Sequence, residues 1–217
     1  MKRSWLILSS FVAVALACAI VTFSQPTQPG AYGLFSGSSD VGVTFPGRTQ
    51  FNPYTGVFSL TGSGADMWGT SDTFHFAWVK LKSDATLAAD IEFPDKVPSP
   101  LAKAVIIFRQ DIDPGSPYVD VAIHADGHIT MQWRDKAGDI TADTISPIQN
   151  SRRLRIERHG DVFTASAQSE DNKMIPFARH TLPMTGPVLA GIGVCSHDLK
   201  SVFTVKFSHV TIDRPGM

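Results

Sequence analysis

The stretch KAVIIFRQDIDPGSPYVDVAIHADGHITMQWR, residues 103–134, decides the fold. Apolar residues recur at every second position in three runs, which span residues 103–109, 118–124 and 128–134. Pro114 and Gly115 separate the first two runs. Alternation with a period of two, broken by turn residues, is typical of half-buried strands. The stretch therefore predicts three consecutive antiparallel strands.

The turn between the second and third strands fixes how they pair. A two-residue loop at Asp126 and Gly127 would place Ile123 opposite Thr130, an apolar residue against a polar one. A three-residue loop with Gly127 in the left-handed conformation pairs Ile123 with Ile129 instead. Only this second register keeps each face of the hairpin uniform, because a slip of one residue moves every side chain to the opposite face.

One face of this hairpin is then apolar, and the other is polar. The polar face combines hydrogen-bonding, ionisable and aromatic side chains, which is the mixture that a sugar ligand requires. Arg109, at the end of the preceding strand, reaches the same area. The alternative is a solvated face with ordinary cross-strand polar pairs. We predict a ligand-binding site at Arg109, Tyr118, Asp120, His124, Gln132 and Arg134.

The remaining sequence repeats the pattern of short alternating runs, and no stretch shows a convincing helical period. Many short strands without helices between them indicate an antiparallel sandwich or barrel. We predict an all-β fold, a two-sheet antiparallel jelly-roll sandwich. Phe74, Phe76 and Trp78 share one face of a strand and are predicted to lie in its core. Loop lengths further predict that Trp133 pairs with Ile140 and that Ile156 pairs with Phe163.

Charge and cysteine content exclude several classes of protein. The chain has 19 basic and 20 acidic residues, a formal net charge of −1, so no nucleic-acid partner is expected. Only Cys195 lies outside the first 24 residues, and an internal disulfide in the remainder is therefore excluded. Its apolar surroundings predict a buried, unreactive thiol.

Residues 1–24 have the pattern of a targeting segment. Lys2 and Arg3 precede an apolar run from Trp5 to Phe23, as in a signal peptide. An uncleaved membrane anchor and a lipoprotein attached at Cys18 remain as alternatives. All three predict export to the periplasm, the cell envelope or the medium. The prediction for the remainder is a linker at 25–40, one domain at 41–213 and a short tail at 214–217.

Four motifs in fixed order resemble a known family. They are GSGADMWGTSDTFHFAW (62–78), the stretch 103–134, LRIERHGDVFTASAQS (154–169) and VLAGIGVCSH (188–197) with FSHVTI (207–212). The sequence resembles DUF1349-type domains of the concanavalin A-like lectin/glucanase superfamily. The resemblance implies a two-sheet jelly roll related to laminin G modules, of the kind found in exported bacterial proteins and sometimes attached to glycoside hydrolases. The resemblance supports the predicted fold more strongly than it supports any particular function.

A calcium site is predicted at one loop. Asp111 and Asp113 lie two residues apart in a loop that Pro114 and Gly115 close, and carboxylate oxygens are the ligands that calcium prefers. The alternative is a turn in which the aspartates accept hydrogen bonds from the backbone.

Catalysis is not expected from the carboxylates. Jelly-roll glycosidases use a pair of acidic residues at a fixed spacing, whereas Glu92, Glu157 and Glu170 lie far apart. We therefore predict an exported, non-catalytic binding module whose ligand is a glycan or a cell-envelope component. A protein-interaction or envelope-structural module is the alternative, and a glycoside hydrolase is a more distant one.

Overall fold

The structure, a computed structural model, describes residues 32–42 and 44–215, and these residues form strands and turns but no helix. Accordingly, no helix in this part of the chain could cross a membrane. The strands are β1 (Gly37–Val41), β2 (Arg48–Asn52), β3 (Val57–Gly64), β4 (Met67–Trp68), β5 (Ser71–Asp72), β6 (Phe74–Leu81), β7 (Ala85–Glu92), β8 (Lys103–Arg109), β9 (Tyr118–His124), β10 (Ile129–Arg134), β11 (Ala142–Ile145), β12 (Arg153–His159), β13 (Val162–Gln168), β14 (Met174–Thr181), β15 (Val188–Cys195) and β16 (Asp198–Asp213).

Two seven-stranded antiparallel sheets form a sandwich. The first sheet has the order β1-β6-β15-β8-β9-β10-β11, and the second has the order β14-β13-β12-β7-β16-β3-β2. Strands β4 and β5 make a separate two-stranded sheet. Neighbours that are distant in sequence, such as β6 and β15, show that the chain crosses repeatedly between the two layers. The prediction of an all-β two-sheet jelly roll is confirmed.

The main core lies between the sheets, where alternate residues of both layers point inward. The predicted hairpin register is confirmed, since Ile123 pairs with Ile129 and Val121 pairs with Met131. All four side chains are buried in this core. The apolar face of the 103–134 stretch therefore positions the first sheet against the second.

Two other hairpins pair two residues away from the predicted register. Trp133 pairs with Ala142 rather than Ile140, because the connection between β10 and β11 is longer than four residues. Ile156 pairs with Ala165 rather than Phe163. Gly160, in the tight turn between the two strands, has a φ of 60°. A shift of two residues leaves every side chain on its predicted face.

A second apolar cluster covers part of the outer face of the first sheet. It includes Phe74 and Phe76, while Ala77 and Val79 of the same strand face the main core. The prediction that these residues lie in a core is confirmed for Phe74 and Phe76, which are fully buried in this outer cluster, whereas Trp78 packs against it and is only half-buried. Both faces of β6 are apolar, so alternation alone could not identify the inward face.

Cys195 belongs to this second cluster and carries the predicted buried thiol. Its sulfur lies 3.5 Å from the carbonyl oxygen of Gly64. Burial raises the pKa of the Cys195 thiol to about 12, so the thiolate is absent at neutral pH. The prediction of a buried thiol is confirmed, and its lack of reactivity stays a prediction.

The predicted linker at 25–40 ends earlier than expected. Gly37–Val41 forms β1 at the edge of the first sheet, and Val41 is fully buried. Phe35 is 5% exposed, and its ring packs against the ring of Phe58 with centroids 5.1 Å apart. The linker prediction is therefore wrong for residues 35–40. The targeting segment at 1–24 lies outside the described residues.

Candidate functional site

The side chains assigned to a ligand site do lie together on the outside of the first sheet. Strand pairing places Arg109 and Arg134 on either side of Tyr118. None of them is more than 5% exposed, so the expectation of an open binding face is wrong. We call this set the polar face, and it consists of Arg109, Tyr118, Asp120, His124, Gln132 and Arg134.

The segment Gly64–Thr73, which contains β4 and β5, covers the polar face, and we call it the clasp. The backbone carbonyl of Met67 accepts a hydrogen bond from the Tyr118 hydroxyl at 3.4 Å. The carbonyl of Gly69 accepts a hydrogen bond from the backbone N–H of Thr141 at 2.8 Å. The clasp is thus attached both to the sheet and to the loop that follows β10.

A buried ion cluster provides the main attachment. Asp72 of the clasp lies 2.6 Å from Nη1 of Arg109 and binds Arg134 through both of its carboxylate oxygens at 2.7 Å. All three residues are fully buried. Bidentate arginine–carboxylate contacts are among the strongest hydrogen bonds in proteins. The two arginines therefore act on the clasp and not on an external ligand.

One carboxylate does not neutralise two guanidinium groups, and backbone carbonyls accept most of the remaining donors, although Nε of Arg109 has no hydrogen-bond partner among the described residues. Nη2 of Arg109 donates to the carbonyl of Asp113. Both guanidinium groups also lie over the Tyr118 ring, at 5.7 and 5.1 Å from its centroid. The carbonyls that accept hydrogen bonds from Arg134 are those of Gly69, Pro114, Ser116 and Asp139.

The charges of this cluster shift two titrating groups. Burial alone lowers the pKa of Arg134, but the hydrogen bond and the charge of Asp72 outweigh it and hold that pKa above its usual value. Burial raises the pKa of Tyr118 well above its usual value, and the charges of Asp120 and Asp72 raise it further. Both shifts favour the forms that these two groups have at neutral pH, a neutral tyrosine and a charged arginine, which suits a structural role.

Asp120 and Gln132 are different, because they are buried without full hydrogen bonding. Neither carboxylate oxygen of Asp120 has a well-formed hydrogen bond among the described residues, and the same holds for Oε1 of Gln132. The backbone N–H of Gln132 slightly favours the charged form of Asp120. Burial raises the pKa of Asp120 well above its usual value, although the charge of Lys103 opposes that shift. Unbonded acceptors of this kind can receive hydroxyl or water donors.

His124 lies at the end of the same polar row. Its Nδ1 has no hydrogen-bond partner among the residues described, and its ring stacks on that of His128 with centroids 3.6 Å apart. Burial lowers the pKa of His124 to about 3, and the nearby charges of Lys103 and His128 lower it as well. The imidazole is therefore neutral at neutral pH. A ligand role for Asp120, His124 and Gln132 stays a prediction, and all three side chains are buried.

The Asp111–Asp113 loop uses its carboxylates internally. Asp111 Oδ1 accepts the backbone N–H of Asp113 at 2.9 Å, and Asp113 Oδ1 accepts that of Gly115 at 2.8 Å. Within residues 32–42 and 44–215, no group of three or more His, Cys, Asp or Glu side chains could hold a metal ion. The guanidinium of Arg109 donates a hydrogen bond to the Asp113 carbonyl, and this positive charge further disfavours a cation there. Calcium stays a prediction, and a melting temperature that falls with chelator would support it.

An open groove lies on the same outer face of the first sheet, beside the clasp. It has a volume of about 320 Å³, and we call it the Trp78 groove. Strand β6 contributes the half-buried Trp78 and the exposed Lys80, and β15 contributes the floor. The loop after β8 forms the opposite wall. The lining residues are Trp78, Lys80, Gln110, Asp111, Ile112, Pro187 and Leu189.

The walls of the groove are held in place by hydrogen bonds. The amide of Gln110 both donates to and accepts from the backbone of Thr185, at 2.7 and 3.2 Å, which ties together the two loops that frame the groove. Nε1 of Trp78 lies 3.4 Å from Oγ of Ser39. Gly37 lies against the indole, because a Cβ there would come within 2.4 Å of the ring. The aromatic surface is therefore fixed before any ligand arrives.

Sequence reasoning missed this groove because it assigned Trp78 to the core. The sequence signal that could have found the groove is Lys80, because it lies two residues after Trp78 and therefore on the same face of β6. A lysine on a face predicted to be core is inconsistent with burial of that end of the strand. The outer face of the first sheet is thus closed over β8–β10 and over Phe74 and Phe76, and it is open at the Trp78–Lys80 end of β6.

Comparisons with known proteins show the fold. No protein-family model and no curated protein matches the sequence. A functionally unknown protein from Saccharomyces cerevisiae matches with a TM-score of 0.60 and 18% identity, over 82% of this chain and 96% of that one. The carbohydrate-binding module CBM66 from Bacillus subtilis matches with a TM-score of 0.53 and 17% identity, over 83% of this chain and 97% of that one. The chain has a concanavalin A-like jelly-roll fold, while membership of the DUF1349-type domains stays a prediction.

Proposed function

We propose that the chain is an exported module that binds carbohydrate in the Trp78 groove. One observation carries the proposal: a fixed, half-buried indole shares an open groove with the ammonium of Lys80 and the carboxylate of Asp111. An indole covers the apolar C–H face of a sugar ring, and charged side chains bind its hydroxyls. The groove volume, about 320 Å³, is at the small end of the range for ligand pockets, which is about 300–1,000 Å³.

A wider groove on the second sheet supports the proposal less well. It has a volume of about 650 Å³ and is lined by Gln50, Tyr54 and Lys206, among others. Tyr54 is 97% exposed at the tip of the β2–β3 turn, so its ring would lose conformational freedom on binding. Trp78 is already packed against β1 and has less freedom to lose.

The fold is consistent with this function without establishing it. One structural neighbour is a carbohydrate-binding module, but at 17% identity the likeness extends only to the fold. The site therefore has to carry the argument. In the proposal, Arg109 and Arg134 contribute indirectly, since Arg109 holds the Asp113 end of the loop that forms one wall of the groove.

Replacing Trp78 with alanine tests the proposal. The measurement is a glycan-array screen of residues 26–217, followed by titration with any sugar that binds. Trp78→Ala is expected to weaken binding about 10- to 100-fold, which is equivalent to about 1.5–3 kcal/mol of lost apolar contact. The melting temperature should change little, because Trp78 lies outside the inter-sheet core. Tyr54→Ala is the matched control and should bind like the native protein.

Two results would contradict the proposal. Undiminished binding by Trp78→Ala together with loss in Tyr54→Ala would move the site to the second sheet. A blank array with folded protein would favour the protein-interaction alternative. That alternative has its own observation, because the edge strand β11 is exposed throughout, with Ile145 64% exposed and the preceding Ile140 74% exposed.

A further inference from the structure

A hydrogen-bonded group of side chains lies at the open edge of the sandwich, where β1 of the first sheet faces β2 of the second. Asp40 Oδ1 lies 2.8 Å from Nδ1 of His75. His75 Nε2 lies 3.0 Å from Oγ of Ser38 and 3.0 Å from Oγ1 of Thr49. A carboxylate, an imidazole and a hydroxyl connected in this order are the groups that activate a serine as a nucleophile.

The carboxylate and the imidazole are held rigidly. The backbone N–H of Gly47 donates to both oxygens of Asp40 at 3.1 Å. A Cβ at Gly47 would lie 2.3 Å from Nδ1 of His75, so only glycine permits this close approach. Because Asp40 accepts the Nδ1 proton, Nε2 carries the lone pair that a general base requires.

The hydroxyl is accessible although the base is not. His75 is 3% exposed, whereas Ser38 is partly exposed and the side chain of Asp40 is 32% exposed. Both β1 and β2 are edge strands of their sheets, so no other strand within residues 32–42 and 44–215 pairs with their open sides. A small, flat molecule could reach Ser38 from this edge while His75 stays shielded from water.

We propose that Ser38 is the nucleophile of an ester-cleaving centre, with His75 as its general base and Asp40 as a positioning residue. The substrate class is small carboxylic esters, in which the reacting carbonyl is exposed and planar. This centre lies on the side of β6 opposite the Trp78 groove, and it does not depend on carbohydrate binding.

The reaction balances with these groups and water alone. Oγ of Ser38 bonds to the ester carbonyl carbon while its proton passes to Nε2 of His75. The bond to the alkoxy oxygen then breaks, and the leaving alcohol takes the proton from His75. Water, activated by the same nitrogen, hydrolyses the acyl-serine, which releases the carboxylic acid and restores Ser38.

Thr49 is placed to stabilise the charge that develops on the carbonyl oxygen. Its Oγ1 accepts a hydrogen bond from Oγ of Ser38 at 2.8 Å, and once the Ser38 proton has passed to His75 the Thr49 hydroxyl can rotate its own proton towards the carbonyl oxygen. Side-chain hydroxyls serve as oxyanion donors in other hydrolytic sites. Thr49 comes from the opposite sheet, so the site exists only when the two edges are together.

The test uses p-nitrophenyl acetate hydrolysis and covalent labelling with diisopropyl fluorophosphate. The expected result is one phosphoryl adduct per chain, located on Ser38 by peptide mass, and its absence in Ser38→Ala. Asp40→Asn is expected to slow labelling and hydrolysis about 100-fold or more without changing the melting temperature, and Asp40→Glu should recover part of the rate. Thr49→Val should slow hydrolysis, while Thr49→Ser should not.

Ser39→Ala is the matched control, since Ser39 is the next residue on β1 but contacts Trp78 rather than His75. It should label like the native protein. The proposal is overturned if folded native protein acquires no adduct, or if Ser38→Ala hydrolyses the ester at the native rate. Labelling on a different residue would also overturn it.

Discussion

Replacing Asp72 with alanine is expected to lower the free energy of unfolding by about 3–5 kcal/mol, because it leaves two buried guanidinium groups without a counter-charge. Asp72 is fully buried and binds both Arg109 and Arg134 at 2.6–2.7 Å. Neither arginine can reach water without breaking its contacts with backbone carbonyls. The melting temperature and urea midpoint of purified Asp72→Ala would measure the loss.

Asp171→Ala is the control for that experiment. Asp171 forms an ion pair with Lys173 on the surface, with side chains 58% and 73% exposed. Exposed pairs contribute little to stability because water and salt screen them, so this variant should be close to the native protein. If Asp72→Ala were equally stable, the clasp would not be held by the ion cluster, and the polar face would be open to ligands as the sequence suggests.

The alternation of residues 103–134 determined much of the fold. Pairing of Ile123 with Ile129 follows from it because any odd shift would expose the apolar set. Loop length is less constrained, and the connection after β10 is longer than predicted. Its residues are used elsewhere, as Thr141 donates to the clasp and the Asp139 carbonyl accepts from Arg134.

The candidate site was predicted only in part, and for a physical reason. Alternation shows which face a side chain occupies but not what lies above it. Arg134 lies on the predicted face, yet its partner Asp72 comes from a segment 62 residues earlier in the chain. Contacts of such separation leave no periodic signal in the sequence. The same limitation concealed Ser38, His75 and Thr49, which meet only because β1 and β2 face each other.

The second large effect is expected at Asp120, where removal of a charge should stabilise the protein. Asp120→Asn is expected to raise the free energy of unfolding at pH 8, because the amide cannot ionise and so removes the cost of burying a carboxylate charge. Burial raises the folded-state pKa of Asp120 above its unfolded value, so the folded protein retains a proton that the unfolded chain releases. The stability that this proton contributes is fully present below the unfolded pKa and is lost as pH rises through the folded pKa.

The difference between Asp120→Asn and the native protein should therefore be small near pH 3.5 and should grow as pH rises. His124, whose pKa is lowered to about 3, changes stability in the opposite sense, but it is present in both proteins and its effect cancels to first order. Asp143→Asn is the control, because Asp143 of β11 is exposed and pairs with Gln132 of the neighbouring strand β10. A difference independent of pH would show that Asp120 is hydrogen-bonded in solution. A difference that grows with pH would mark Asp120 as a residue that costs stability, as ligand-contacting residues commonly do. Opening of the clasp would then expose the Asp120 carboxylate, an acceptor already without a partner.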